Sequence, residues 1–167
     1  MSNIFTYGSL MFPEVWERVV GSHYQVSPAR LDGYIRRQLR DEIYPVIVRQ
    51  VPDSHVEGML YFGLSTEDLA RLDRFEGEYY VRRSVTVIDC REGIVRQAFS
   101  YVLSGRYRHL LSDRDWDPGY FHEHGLRRFL ADYAGFDPRV AKLVAIIASF
   151  TLTYLLRSKV VFQHGKD

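Results

Sequence analysis

The feature that most constrains the fold is a series of short runs of β-branched and aromatic residues, each bounded by turn residues. Such runs predict strands. Helical patterns interrupt them at only three places, so the chain lacks a regular strand–helix–strand alternation. The predicted strands cover residues 3–7, 25–31, 43–49, 56–62, 83–89 and 95–103 approximately. We therefore predict an α+β domain with a mixed, curved sheet.

Three segments predict helices, at residues 13–21, 65–77 and 120–136. In the second segment Ser65 or Thr66 suits the N-cap, and Gly77 suits the end of the helix. One face of each of the last two helices is apolar, which predicts that this face is buried. The apolar positions are Leu69, Leu72 and Phe75 in the second helix, and Leu126, Phe129, Leu130 and Tyr133 in the third.

The length of 167 residues suits one domain, which we place at residues 1–136. Residues 137–167 differ from it, because the stretch 143–156 carries no charge and lies between Lys142 and Arg157. A membrane span needs about 20 apolar residues, so we expect a helix that packs on the domain or forms a homodimer contact. A short membrane anchor and a poorly ordered extension are the alternatives.

Composition excludes several classes of protein. Lys and Arg (22) nearly balance Asp and Glu (21), which argues against nucleic acid as a partner. Cys90 is the sole cysteine, so an intrachain disulfide and a cysteine-based zinc site are excluded. The first residues lack the basic and then apolar pattern of a signal peptide, so we expect a cytoplasmic setting.

A strand, a glycine turn and a helix follow one another at Tyr7, Gly8, Ser9 and Leu10, which we call the 7–10 turn. Glycine lets the backbone approach a ligand, and exposed N–H groups in such a turn bind an anion or a developing oxyanion. A plain connection between two elements is the alternative. The turn matches neither the P-loop pattern nor the dinucleotide-binding pattern.

Glu76 is the candidate general acid or base, in the segment "LDRFEGEYYVRR". The predicted helix ends just after Glu76, and the negative end of a helix dipole disfavours a carboxylate. Desolvation by Phe75, Tyr79 and Tyr80 would act in the same direction. Both effects raise the pKa toward the range that proton transfer at neutral pH requires. A solvated surface glutamate is the alternative.

The remaining polar and aromatic clusters of the sequence are expected to have structural roles. His122 and His124 are two positions apart, which directs them to different sides of a helix, so no metal site is predicted. The cluster of Arg36, Arg37 and Arg40 is expected to lie on a solvated loop. The strand around Tyr101 is expected to contribute to the core.

Two motifs together carry a resemblance to a known family. "FTYGSLM" at residues 5–11 and "LDRFEGEYYVRR" at residues 72–83 resemble the γ-glutamylcyclotransferase-like family, which includes the AIG2-like proteins. The segments "YP", "VEGMLYFGL", "AFSYVL" and "SDRDWDPGYF" follow in the order that this family shows. The resemblance covers residues 3–136, and the segment after 137 matches nothing in the family.

The resemblance implies a small mixed β-barrel flanked by helices and the cyclisation of a γ-glutamyl group, which releases 5-oxoproline and an amine. It assigns substrate binding to the 7–10 turn and catalysis to Glu76, with no metal or organic cofactor. It also implies that Tyr80 lines the pocket, and Tyr44 is a weaker candidate. The spacing departs from the family pattern, because "EGEYYVR" is compact, so Tyr79 competes with Tyr80. A non-catalytic binding module on the same fold is the alternative.

Overall fold

The computed structural model of the chain describes residues 1–50 and 53–135. The strands are β1 (Ser2–Thr6), β2 (Val26–Asp32), β3 (Tyr34–Leu39), β4 (Pro45–Arg49), β5 (His55–Leu64), β6 (Tyr80–Asp89), β7 (Ile94–Leu103) and β8 (Leu111–Asp115). The α-helices are α1 (Pro13–Val19), α2 (Thr66–Glu76), α3 (Pro118–Tyr120) and α4 (Leu126–Gly135). Short 3₁₀ turns cover Ser9–Met11 and Gly105–Leu110, and a π-helical turn covers Phe121–Gly125.

Five strands close into a barrel in the order β1-β5-β2-β6-β7. The contact that closes the barrel is parallel, with Ile4 of β1 opposite Phe99 of β7, whereas the other neighbours are antiparallel. Alternate side chains of each strand point inward. The core contains Phe5, Leu31, Leu60, Val85, Val87 and Ala98. The predicted α+β fold with a small mixed barrel is therefore confirmed.

A second sheet has the order β4-β3-β8. Strands β3 and β8 were not predicted, because their sequences are dominated by charged and polar residues rather than by β-branched ones. The expectation that Arg36 and Arg37 lie on a loop is wrong, since both belong to β3 and pair with Ile47 and Val46 of β4. The Asp32-Gly33 pair between β2 and β3 is typical of a hairpin turn and could have predicted a further strand after it.

Helix α2 positions the candidate acid or base and begins as predicted. The hydroxyl oxygen of Ser65 accepts a hydrogen bond from the N–H of Asp68, which caps the helix. Leu69 and Leu72 are buried. Gly77 follows with φ +66°, a conformation that side chains rarely adopt, and this ends the helix directly after Glu76.

The third predicted helix is interrupted. The chain forms α3, then the π-helical turn Phe121–Gly125 that contains His122, and then α4. Residues 1–123 form one compact unit, and a second unit begins at His124. The predicted boundary near residue 136 and the apolar segment 143–156 lie outside the described residues. No helix within 1–50 and 53–135 is long and apolar enough to cross a membrane.

Candidate active site

The 7–10 turn has the predicted arrangement of strand, glycine turn and helix. Strand β1 ends at Thr6, and a 3₁₀ turn begins at Ser9. Ser9 and Leu10 are 8% and 3% exposed, so their side chains contribute mainly to the core. The N–H groups of Gly8, Ser9 and Leu10 donate to no acceptor among the described residues. No backbone hydrogen bond between described residues therefore occupies these donors.

Gly8 packs directly against Pro45. A β-carbon at position 8 would lie 2.7 Å from Cγ of Pro45, closer than such atoms approach in proteins. Residue 8 must therefore be glycine for the turn to rest against the start of β4. This contact brings the "YP" segment of the sequence to the 7–10 turn.

Glu76 is the last residue of α2 and is partly buried. Burial raises the pKa of its carboxyl group from the ordinary 4.5 to about 8. Its carboxylate forms no hydrogen bond or ion pair with another residue in the described part of the chain. The predicted direction of the shift is confirmed, and desolvation is its cause.

The carboxylate of Glu76 interacts electrostatically with the hydroxyl of Tyr7, the first residue of the 7–10 turn. Burial is the main reason that the pKa of the Tyr7 hydroxyl is well above its usual range, and the nearby Tyr80 and Glu76 raise it further. The charge of Glu76 also raises the pKa of Tyr101, after burial and Asp73. The fold thus brings residues of two motifs that lie far apart in the chain near one another.

Tyr80 contacts Pro45 and interacts electrostatically with Glu76. The Tyr80 hydroxyl donates to the carbonyl of Pro45 at 2.9 Å. Burial raises the pKa of Tyr80 well above its usual range, and the charges of Glu76 and then Tyr44 add to this shift. Tyr44 therefore lies near the site as well. Tyr79 instead packs edge-on against the ring of Tyr107, with ring centroids 4.9 Å apart.

Tyr101 connects the two halves of the site, a role that its sequence did not indicate. Its backbone carbonyl accepts a hydrogen bond of 2.6 Å from the Tyr7 hydroxyl. Its own hydroxyl donates to Asp73 at 2.7 Å, one turn before Glu76 on α2. Arg82, which lies opposite Tyr101 on β6, forms an ion pair with the same carboxylate at 3.2 Å. The expected position of Tyr101 in the core is confirmed.

Arg36 is the second residue that the sequence did not assign to the site. Its guanidinium donates to the carbonyl of Tyr7 at 2.9 Å and lies 5.2 Å from the ring centre of Trp116. Burial lowers the pKa of Arg36. The indole N–H of Trp116 donates to the carbonyl of Ile43, beside Tyr44. Arg36 therefore holds the 7–10 turn against the second sheet.

The described residues contain no group of three or more His, Cys, Asp or Glu side chains placed to hold a metal ion. The site instead combines a carboxyl group of raised pKa, several buried phenols and backbone N–H donors. A carboxyl group of raised pKa can exchange protons near neutral pH, and N–H donors can stabilise negative charge.

The closed barrel with flanking helices has the fold of a γ-glutamylcyclotransferase-like protein. The sequence model of the family "Gamma-glutamyl cyclotransferase, AIG2-like" matches residues 4–118, and the chain belongs to this family. The relatives include AIG2-like protein D of Arabidopsis thaliana, which is 33% identical over 88 residues, 53% of this chain and 57% of that protein. Protein AIG2 C of the same plant is 35% identical over 86 residues, 52% of each chain. The matches span about half the length of these curated relatives.

Solved structures share the fold. One protein of Arabidopsis thaliana has a TM-score of 0.59 and 26% identity, over 81% of each chain. A gamma-glutamyl cyclotransferase has a TM-score of 0.56 and 22% identity, over 62% of this chain and 66% of that chain. A yeast gamma-glutamyl cyclotransferase specific to glutathione has a TM-score of 0.53 and 16% identity, over 78% of this chain and 88% of that chain. At these identities the last two support the fold alone.

Proposed function

We propose that the protein is an enzyme that cyclises the γ-glutamyl group of a small γ-glutamyl amine or peptide and releases 5-oxoproline and the free amine. The observation that carries this proposal is the electrostatic interaction of Glu76, whose pKa is raised to about 8, with the hydroxyl of Tyr7 in the 7–10 turn. Membership in the family supports the same reaction class. The roles of the individual residues follow from the chemistry of the step.

Glu76 acts on the substrate's α-amino group. At neutral pH this group is largely an ammonium ion, which is not nucleophilic, so a base must remove a proton from it. The free amine nitrogen then attacks the γ-carbonyl carbon and forms the new C–N bond of the ring. A carboxylate whose pKa lies near the working pH suits this role.

The same group completes the reaction. The tetrahedral intermediate collapses and breaks the bond between the γ-carbon and the departing nitrogen. The Glu76 carboxylic acid returns its proton to that nitrogen, and the ring nitrogen loses its second proton, which the departing amine takes up to leave as an ammonium ion. The two protons lost by the substrate's ammonium group thus end on the released amine, so Glu76 ends in its starting state and no external reagent is consumed.

The 7–10 turn holds the glutamyl group. The N–H groups of Gly8, Ser9 and Leu10 are suited to bind its α-carboxylate or the oxyanion of the intermediate. The substrate must fold back on itself for its two reacting atoms to meet, and binding at both ends of the glutamyl group favours this conformation. Tyr80 and Tyr44 form one side of the pocket.

A direct assay tests the proposal. Purified protein is incubated with γ-glutamyl amino acids, γ-glutamyl amines and glutathione, and 5-oxoproline is measured by chromatography. We expect release from at least one class, and Glu76→Gln should reduce the rate by about 10²–10⁴-fold, the usual contribution of acid–base catalysis.

Glu78→Gln is the matched control, because Glu78 is exposed and bonds to Tyr107 rather than facing the site. It should retain the wild-type rate. Ligand binding without any 5-oxoproline release would favour the alternative, a non-catalytic binding module. Full activity of a folded Glu76→Gln variant would remove Glu76 from the mechanism.

A further inference from the structure

A groove of about 370 Å³ lies between β4, β6, β7 and the turn Gly105–Leu110. Arg83 in its wall lies on the same face of β6 as Val85 and Val87 of the barrel core. Its lining consists of Tyr34, Ile47, Val48, Arg49, Arg83, Ser84, Val102, Leu103, Gly105 and Arg108. We call it the arginine groove.

The apolar part of the arginine groove belongs to the two hydrophobic clusters of the protein. Ile47 is fully buried in the barrel core, and Val102 packs against the same core. Leu103 belongs to the neighbouring cluster, against which Val48 packs. The apolar side chains that the groove leaves partly exposed are therefore Val48 and Val102.

Three guanidinium groups from three different elements line the groove, at Arg49, Arg83 and Arg108, and no carboxylate lines it. None of the three forms an ion pair with a described residue, although all three are exposed. Five other arginines of the described chain do form such pairs, namely Arg30, Arg37, Arg71, Arg82 and Arg96.

This concentration of positive charge is local, because the whole chain carries a formal net charge of only +1. Like charges near one another disfavour the folded state unless an anion neutralises them. Guanidinium groups present paired donors that match the geometry of carboxylate and phosphate oxygens. The volume lies within the range of small-molecule sites, which combine apolar walls with a few polar groups.

We propose that the arginine groove binds a small organic anion, with a carboxylate or phosphate group held by Arg49, Arg83 and Arg108 and an apolar part resting on Val48 and Val102. The proposal is independent of the catalytic role of Glu76. The groove does adjoin the candidate active site, because the N–H of Ile47 donates to the hydroxyl oxygen of Tyr7.

The test is a titration of the full chain with small anions, in which binding is monitored through backbone amide chemical shifts in NMR. Phenyl phosphate and phenylacetate are the probes for the two anionic groups, and benzyl alcohol is the uncharged control. We expect saturable binding of at least one anion, with shifts at Arg49, Arg83 and Gly105, and none of benzyl alcohol at the same concentration. The tighter of the two probes identifies the preferred anionic group.

Substitutions distinguish binding at a specific site from general electrostatic attraction to the protein surface. Arg83→Gln should weaken binding at least tenfold, whereas Arg91→Gln should not change it, because Arg91 is exposed at the far end of β6 and carries the same charge. A β-carbon at Gly105 would meet no atom within 4 Å, so a side chain fits there. Gly105→Glu places a carboxylate in the groove and should abolish binding, and Gly105→Gln is its control.

Two outcomes would overturn the proposal. One is that neither anion binds saturably to the wild-type chain. The other is that Arg91→Gln weakens binding as much as Arg83→Gln, which would show a general surface attraction. Circular dichroism of each variant confirms that a loss of binding does not arise from unfolding.

Discussion

The hydroxyl of Tyr101 donates to Oδ1 of Asp73 at 2.7 Å, and this bond connects strand β7 to the helix that ends at Glu76. The backbone carbonyl of Tyr101 accepts the Tyr7 hydroxyl, so one residue contacts both halves of the candidate site. Asp73 and Glu76 are one helical turn apart, which makes the position of the carboxylate depend on this contact.

Tyr101→Phe should therefore lower kcat more than it raises KM. The change removes one hydrogen bond from α2, but leaves the Asp73–Arg82 ion pair and the buried ring in place. The free energy of unfolding should fall by about 1 kcal/mol. Steady-state kinetics and urea unfolding measure the two effects.

Tyr107→Phe is the matched control for this prediction. It also removes a hydrogen bond between a tyrosine and a carboxylate, here to Glu78 at 2.6 Å, but that bond is exposed and does not involve the site. Its kcat should equal that of the wild type. An equal loss of kcat in both variants would contradict a positioning role for Tyr101.

The pH dependence of the reaction should report the titration of Glu76. The carboxylate is the form that accepts a proton, and burial raises its pKa to about 8. The value of kcat/KM should therefore rise with pH and level off above about pH 8. The residual activity of Glu76→Gln should lack this rise. A rise centred near pH 4.5 would contradict a desolvated Glu76.

The stability of Glu76→Gln should also differ from that of the wild type in a pH-dependent way. Between pH 4.5 and about 8 the folded wild type retains a proton that the unfolded chain has released. The unfolded state then binds fewer protons, so the free energy of unfolding of the wild type falls as the pH rises through this window. Because glutamine does not ionise, the free energy of unfolding of the variant should not fall in this way.

Denaturant unfolding at pH 5 and pH 9 measures this difference. The advantage of Glu76→Gln over the wild type should be small at pH 5 and largest above pH 8. Glu78→Gln should show no comparable gain, because Glu78 is exposed. A stability difference that does not change with pH would show that Glu76 is solvated in the folded protein.

Gly8→Ala should disrupt the candidate site through a steric clash. The added methyl group would lie 2.7 Å from Cγ of Pro45, whose carbonyl accepts the Tyr80 hydroxyl. Relief of the clash must separate the turn from Pro45, at a cost of about 1–3 kcal/mol, and should raise KM for the γ-glutamyl substrate.

Gly105→Ala is the control, since the space around Gly105 is open. Thermal unfolding and the 5-oxoproline assay should show no change in this variant. Unchanged stability and KM in Gly8→Ala would mean that the close contact with Pro45 is not required.

Much of the fold could be predicted, because the signals were local. Ser65 caps α2, Gly77 ends it, and the hydrophobic runs define most barrel strands. Strands β3 and β8 were missed because cross-strand pairing stabilises them, and their residues lack a strong strand preference. The prediction of one continuous third helix was wrong, because the first part of that segment forms a π-helical turn.

The sequence by itself determined where Glu76 stands on its helix and that a glycine turn follows β1, because capping and turn formation depend on neighbouring residues. Only the tertiary structure decided that Glu76 is desolvated, that Tyr80 interacts with it electrostatically, and that Arg36 supports the turn. These properties arise from contacts between distant segments, such as the bond from Tyr7 to Tyr101 across 94 positions. Burial and electrostatic coupling depend on which segments the fold brings together, and local patterns do not contain that information.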